Sequence, residues 1–128
     1  MRQWTIAAGA LGLSLSANPM QAVAMPSMTV QEFVTTANRI PQNPTALLRS
    51  DTRRLMNEFR DGMRTVRAEQ TAARAAGRRP ATCMPDKVSF SPNDILGRFN
   101  AIPAARRSQI TVTQALREWM AERYPCPA

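Results

Sequence analysis

Cys83 and Cys126 are the only thiols in this 128-residue chain, and the chain has no histidine. Each stands among prolines, in Cys83-Met84-Pro85 and Pro125-Cys126-Pro127, just outside a segment of helical periodicity. A cysteine can serve as nucleophile, metal ligand or half of a disulfide. A nucleophilic cysteine needs an adjacent base, most often histidine, to hold its thiolate. A zinc site needs several nitrogen or sulfur ligands, and no other soft ligand accompanies this pair. The two cysteines are too far apart for a redox Cys-x-x-Cys motif. The remaining chemistry is a structural disulfide, which is the expectation for Cys83 and Cys126.

Paired carboxylates are the other candidates for chemistry. Asp86 and Asp94 flank the start of one helical segment, and Glu118 and Glu122 are one turn apart on another. Glycoside hydrolysis needs two carboxyl groups about 5–9.5 Å apart in a cleft. Acids at helix starts are ordinary partners of the helix dipole. Glu118 and Glu122, beside Arg117 and Arg123, read as ordinary surface charges. Without histidine the usual serine triad is excluded. There is also no glycine-rich phosphate loop. No catalytic, cofactor-binding or metal-ligating residue is assigned, and the chain is read as a non-enzyme.

The first residues set the expected compartment. Arg2 is the only charge before Glu32, and an apolar run, Trp4 to Leu15, follows it. Ala22-Val23-Ala24 is then an A-x-A cleavage site, so residues 1–24 read as a signal peptide and residues 25–128 as one small domain. The apolar run is too short for a membrane span, which takes about 20 residues. Export to the periplasm or beyond is the expectation, and an oxidising compartment lets the two thiols pair. A disulfide closing a loop of about 44 residues contributes roughly 4 kcal/mol in the chain-entropy view.

Seventeen basic residues oppose nine acidic ones, and Lys87 is the single lysine. A GC-rich coding sequence accounts for arginine over lysine, whereas a functional role requires the arginines to cluster on one face. A basic exported protein meets anionic lipid, wall polymer or an acidic protein. Export argues against nucleic acid as partner.

Proline and glycine divide the remainder into four helical segments. Thr29-x-x-Glu32 is a capping box that starts the first, and Pro41 ends it. Residues 41–50 form a connector whose Leu47 and Leu48 are expected to dock on the core. Ser50 or Asp51 caps the second segment, which runs to about Ala76 with Gly77 as C-cap. Leu55, Met56, Phe59, Met63, Val66 and Ala73 recur at helical spacing along it. Arg60, Arg64, Arg67 and Arg74, on its other faces, are the candidate contacts to an anionic surface. Its arginine-rich end is expected to project past the core. The nearest approach to a strand is the short stretch Lys87 to Phe90. Ser91-Pro92-x-Asp94 starts the third segment and Pro103 stops it. Thr111-x-x-Gln114 opens the fourth, whose apolar side is Val112, Ala115, Leu116, Trp119 and Met120. Methionines and Trp119 at these spacings read as core. The short link between the last two segments makes them antiparallel neighbours. That arrangement brings the two cysteines together at the open end of the pair. The expected fold is all-α: a small four-helix domain with a disulfide-closed C-terminal helical hairpin.

The C-terminal part, Thr82-Cys83-Met84-Pro85-x-x-Val88 through Arg123-Tyr124-Pro125-Cys126-Pro127, resembles the Rap/Tai-type immunity proteins. In that family a Cys-x-Pro start and a Pro-Cys end bracket the last two helices. Phe59-Arg60-Asp61-Gly62-Met63 also aligns with a family glycine, but lacks the cysteine often found near it. The resemblance implies a small exported helical protein that binds over the active site of a cell-wall amidase toxin, in some members as a homodimer. It assigns no toxin-contact residue, because the matched motifs are structural. The alternative is a basic envelope-associated protein that binds an anionic surface through the arginine-rich segment.

Overall fold

A computed structural model describes residues 27–128. Residues 1–24, expected to be a signal peptide, and the expected cleavage point after Ala24 lie outside the described residues. The described chain is α-helical, in the order α1 (Val30–Asn38), α2 (Ser50–Ala75), α3 (Pro92–Ala101), α4 (Ala104–Arg107) and α5 (Val112–Arg123). A 3-10 turn, Pro44–Leu48, precedes α2. The four segments of the sequence reading are α1, α2, α3 and α5. The one-turn α4 lies in the link between α3 and α5.

The starts of α1 and α5 are built alike and sit back to back. Thr29 accepts from the amide of Glu32, and Thr111 accepts from that of Gln114. Between them, the amide of Val30 donates to the carbonyl of Ile110 and that of Val112 to Met28, at 3.1 and 2.9 Å. This single antiparallel bridge satisfies amides that helix starts leave open. Ser91 and Asp94 form the full reciprocal capping box at α3.

The core contains Val30, Phe33, Val34, Leu55, Val66, Phe99 and the whole apolar side of α5. Phe99 stands edge-on to Phe33 at 5.1 Å. Helix α5 meets α3 through side chains: Phe99, and Phe90 just before α3, contact Trp119, and Arg98 pairs with Glu122. Its most extensive partner, however, is α2. The close approach depends on Gly62, where an added Cβ would lie 2.7 Å from Leu116 Cδ1. Arg117 clamps the same pair of helices, donating to both carboxylate oxygens of Glu69 at 2.8 and 2.6 Å.

The disulfide Cys83–Cys126 ties the chain leaving α2 to the end of α5. The amide of Cys83 also donates to the carbonyl of Tyr124 at 2.8 Å. The buried side chain of Gln70 holds the same segment from the other side. Its oxygen accepts from Thr82 Oγ1 and the Met84 amide, and its Nε2 donates to the Met84 carbonyl.

Several local expectations are corrected. Leu47 and Leu48 do not dock on the core; they are 72% and 78% exposed. The 3-10 turn is anchored instead through its backbone, the Ala46 carbonyl accepting from Thr52 Oγ1. Met56 is 43% exposed and not part of the core, because the buried side of α2 turns away from it. Neither Ser50 nor Asp51 caps α2: the cap position is Arg49, without a side-chain bond. The end of α2 does not project as a lone helix as far as Ala73. Gly77, at φ +70°, reverses the chain so that residues 82–84 reach back to Gln70, and Ala73 is buried. No helix of the described residues is long and apolar enough to cross a membrane.

Candidate functional site: a basic groove beside the second helix

Helix α2 is long enough to show two opposite faces. At about 100° per residue, Arg53, Arg60, Arg64, Arg67 and Arg74 fall within about 80° of one another over about 30 Å of helix. All are exposed except Arg67, which is half-buried. The four acids of the helix lie elsewhere, each about 100° or more from the centre of that stripe. Glu58 accepts from the Met28 amide, and Glu69 pairs with Arg117. Asp61 reaches only the edge of the stripe, 3.4 Å from Arg64 in a well-exposed pair. Among the described residues Arg53, Arg60, Arg67 and Arg74 make no ion pair. Like charges one turn apart on a helix cost about 0.2–0.5 kcal/mol each, so the stripe does not arise from helix stability.

One side of the stripe overlooks a hollow of about 520 Å³ between α2 and the link at residues 86–90. Phe59, Met63, Val88 and Phe90 form its apolar lining, all half-buried and packed on the core. Phe59 and Phe90 meet edge-on at 6.4 Å, and Phe90 leans on Trp119 at 4.5 Å, so the lining is supported from beneath. Arg60, Arg64 and Arg67 stand along one wall and Lys87 is on the other. Arg67 is held at the rim by donating from Nη2 to the Pro85 carbonyl at 3.0 Å. Among the described residues Asp86 is the one acid lining the hollow. The structure thus brings together three of the four arginines singled out from sequence. Arg74 shares their face but stands about two turns beyond Arg67.

Three of the four carboxylates considered for catalysis are engaged: Asp94, Glu118 and Glu122. Asp94 is held ionised below its ordinary range by the Ser91 backbone and side chain. Hydrogen bonds from Arg106 and Arg98 do the same for Glu118 and Glu122. A general acid needs the opposite shift. No group of three or more metal-binding side chains assembles among the described residues.

Sequence reading missed Lys87, Val88 and Phe90 as part of this site. The available signal was the short alternating stretch they occupy, but only the fold sets it against α2. A second hollow, of about 470 Å³, lies beside α1 and includes Thr35, Arg39, Arg54 and Ser108; it has no apolar floor. No family model, curated protein or solved structure matches this chain.

Proposed function

We propose that this chain is an exported, non-enzymatic binding protein of the immunity type, which neutralises a cell-wall amidase by covering its active site. One observation carries the binding role: the arginine stripe of α2 borders an apolar hollow on the same side of the molecule. The pairing of cations with a recessed apolar lining suits a protein surface, where apolar anchors supply affinity and charges supply orientation. The resemblance of the Cys83-Met84-Pro85 and Pro125-Cys126 motifs to Rap/Tai-type proteins supplies the class of partner. The disulfide supports an oxidising compartment.

The test is retention from envelope extract on immobilised protein at low and high salt. A single retained protein that degrades peptidoglycan, and whose activity is lost on adding one equivalent of this chain, supports the reading. Retention of no hydrolase sinks it. Arg53 and Arg74, which extend the stripe beyond the hollow, favour a second reading as an envelope protein on an anionic surface. Under that reading only lipid or wall fragments are retained. They are released by salt, because exposed charges are screened beyond about 8 Å at physiological ionic strength.

A further inference from the structure

We infer that the hollow between α2 and residues 86–90 receives an acidic stretch of polypeptide bearing one bulky apolar side chain. This rests on the reading of the chain as a protein-binding module and specifies what the partner must present. Three features converge. The lining is apolar and backed by the core, through Phe59 on Phe90 and Phe90 on Trp119. Its α2 wall is cationic, with Arg60, Arg64 and Arg67, and the facing link adds Lys87 beside Asp86, so among the described residues four cations line the hollow against one acid. Finally, the link is open. Among the described residues Lys87 to Phe90 make no backbone–backbone hydrogen bond, so their main-chain groups remain for a partner. Val88 and Phe90, two residues apart, both line the hollow, which is the side-chain spacing of an extended chain.

Charge complementarity selects the occupant. A purely anionic polymer makes no use of the apolar lining. A lipid surface is reached by apolar side chains that protrude, whereas these are half-buried and packed on the core. An acidic segment with a single large apolar residue satisfies both parts, the anchor in the hollow and the carboxylates on the rim.

Fluorescence polarisation with three labelled peptides tests this directly. One has a central tryptophan flanked on each side by glutamates, one has alanine for the tryptophan, and one has lysine for the glutamates. Burying the indole is expected to strengthen binding of the first by about 10-fold or more over the second. The lysine peptide is expected not to bind. The double reversal Arg64→Glu with Lys87→Glu changes exposed side chains and is expected to leave the circular dichroism spectrum unchanged. It is expected to weaken binding of the tryptophan peptide by at least about 10-fold. Val88→Glu is a second, independent block of the hollow and has the same expected effect. Equal binding of the tryptophan and alanine peptides overturns the inference. So does unchanged binding by the reversed variant, or a preference for phosphatidylglycerol vesicles over all three peptides. If the reversed variant still inhibits a retained hydrolase, the protein-binding role stands and this location for it falls.

Discussion

The two faces of α2 belong to one helix and obey opposite rules. The face toward α5 is neutral at its centre, with Leu55, Gly62, Val66 and Ala73 buried and only Gln70 polar, fully engaged by residues 82–84. There the constraint is space: Gly62 is small because Leu116 occupies the volume its side chain would take. The opposite face is constrained by charge. Its arginines make only exposed bonds to the fold and repel one another, and of the helix acids only Asp61, at the edge, pairs with any of them. The first face explains why the domain folds. The second is unexplained by folding and is where a partner is to be sought.

The largest expected effect is on the packed face. Leu116→Asp places a carboxylate at a fully buried position, a cost of about 4–5 kcal/mol or more, comparable to the stability of a small domain. Trp119→Asp is expected to do the same, and circular dichroism of either variant at 25 °C is expected to show an unfolded chain. A native-like melt would break the assignment of α5 to the core.

Removing the disulfide comes next. Cys83→Ser with Cys126→Ser is expected to lower stability in urea by about 2–4 kcal/mol, short of unfolding, because Gln70 and the Cys83–Tyr124 backbone bond still hold residues 82–84. Thiol labelling of the unreduced, denatured wild type is expected to give no signal; two labels per chain would remove the basis for this expectation.

Gly62→Val is expected to cost about 1–3 kcal/mol by overpacking against Leu116 and Thr113, read as a lower melting temperature. Stability equal to wild type would mean that α2 and α5 do not approach this closely.

The clamp between α2 and α5 makes a smaller, pH-dependent contribution. Hydrogen bonding from Arg117 holds Glu69 below its ordinary range. The unfolded chain therefore binds that proton more readily, and the contribution is present above the ordinary glutamate value of about 4.3. It is lost as pH falls through the lower folded value. Glu69→Gln is expected to lower the melting temperature at pH 7 and to reduce the further loss between pH 5 and pH 2. An unchanged acid slope would show that the pair does not couple to folding.

The smallest effect is expected on the charged face. Replacing Arg60, Arg64, Arg67 and Arg74 together by alanine removes only exposed contacts, the Arg67–Pro85 hydrogen bond and the Arg64–Asp61 pair, along with several repulsions. Stability is expected to stay within about 0.5 kcal/mol per site, with the net change toward stabilisation at low salt. A large loss would show that the arginines serve the fold, and the contrast between the two faces would collapse.

Much of this was legible without a structure, because it is local. Thr29, Ser91 and Thr111 bond to amides three residues away, and Gly77 adopts the positive φ that ends α2. The apolar side of α5 follows from spacing alone. Capping at Ser50 or Asp51 failed for a related reason. Residue type permits a cap there, but the incoming 3-10 turn sets the local path and starts the helix at Ser50. Leu47 and Leu48 were misplaced because apolar character states a preference for burial, not the presence of a neighbour to bury against.

By itself the sequence determined an all-α chain, the ends of most helices, the cysteine pair and a surplus of arginine on one long helix. The structure decided that α5 lies chiefly along α2 at Gly62. It also decided that Gln70 docks residues 82–84, and that Lys87, Val88 and Phe90 face the arginine stripe across a hollow. Caps, stops and periodicity act within a turn or two, where the backbone fixes the geometry. Contacts between segments distant in sequence depend on which packing leaves the fewest voids and open polar groups across the whole domain, and no local pattern encodes that choice.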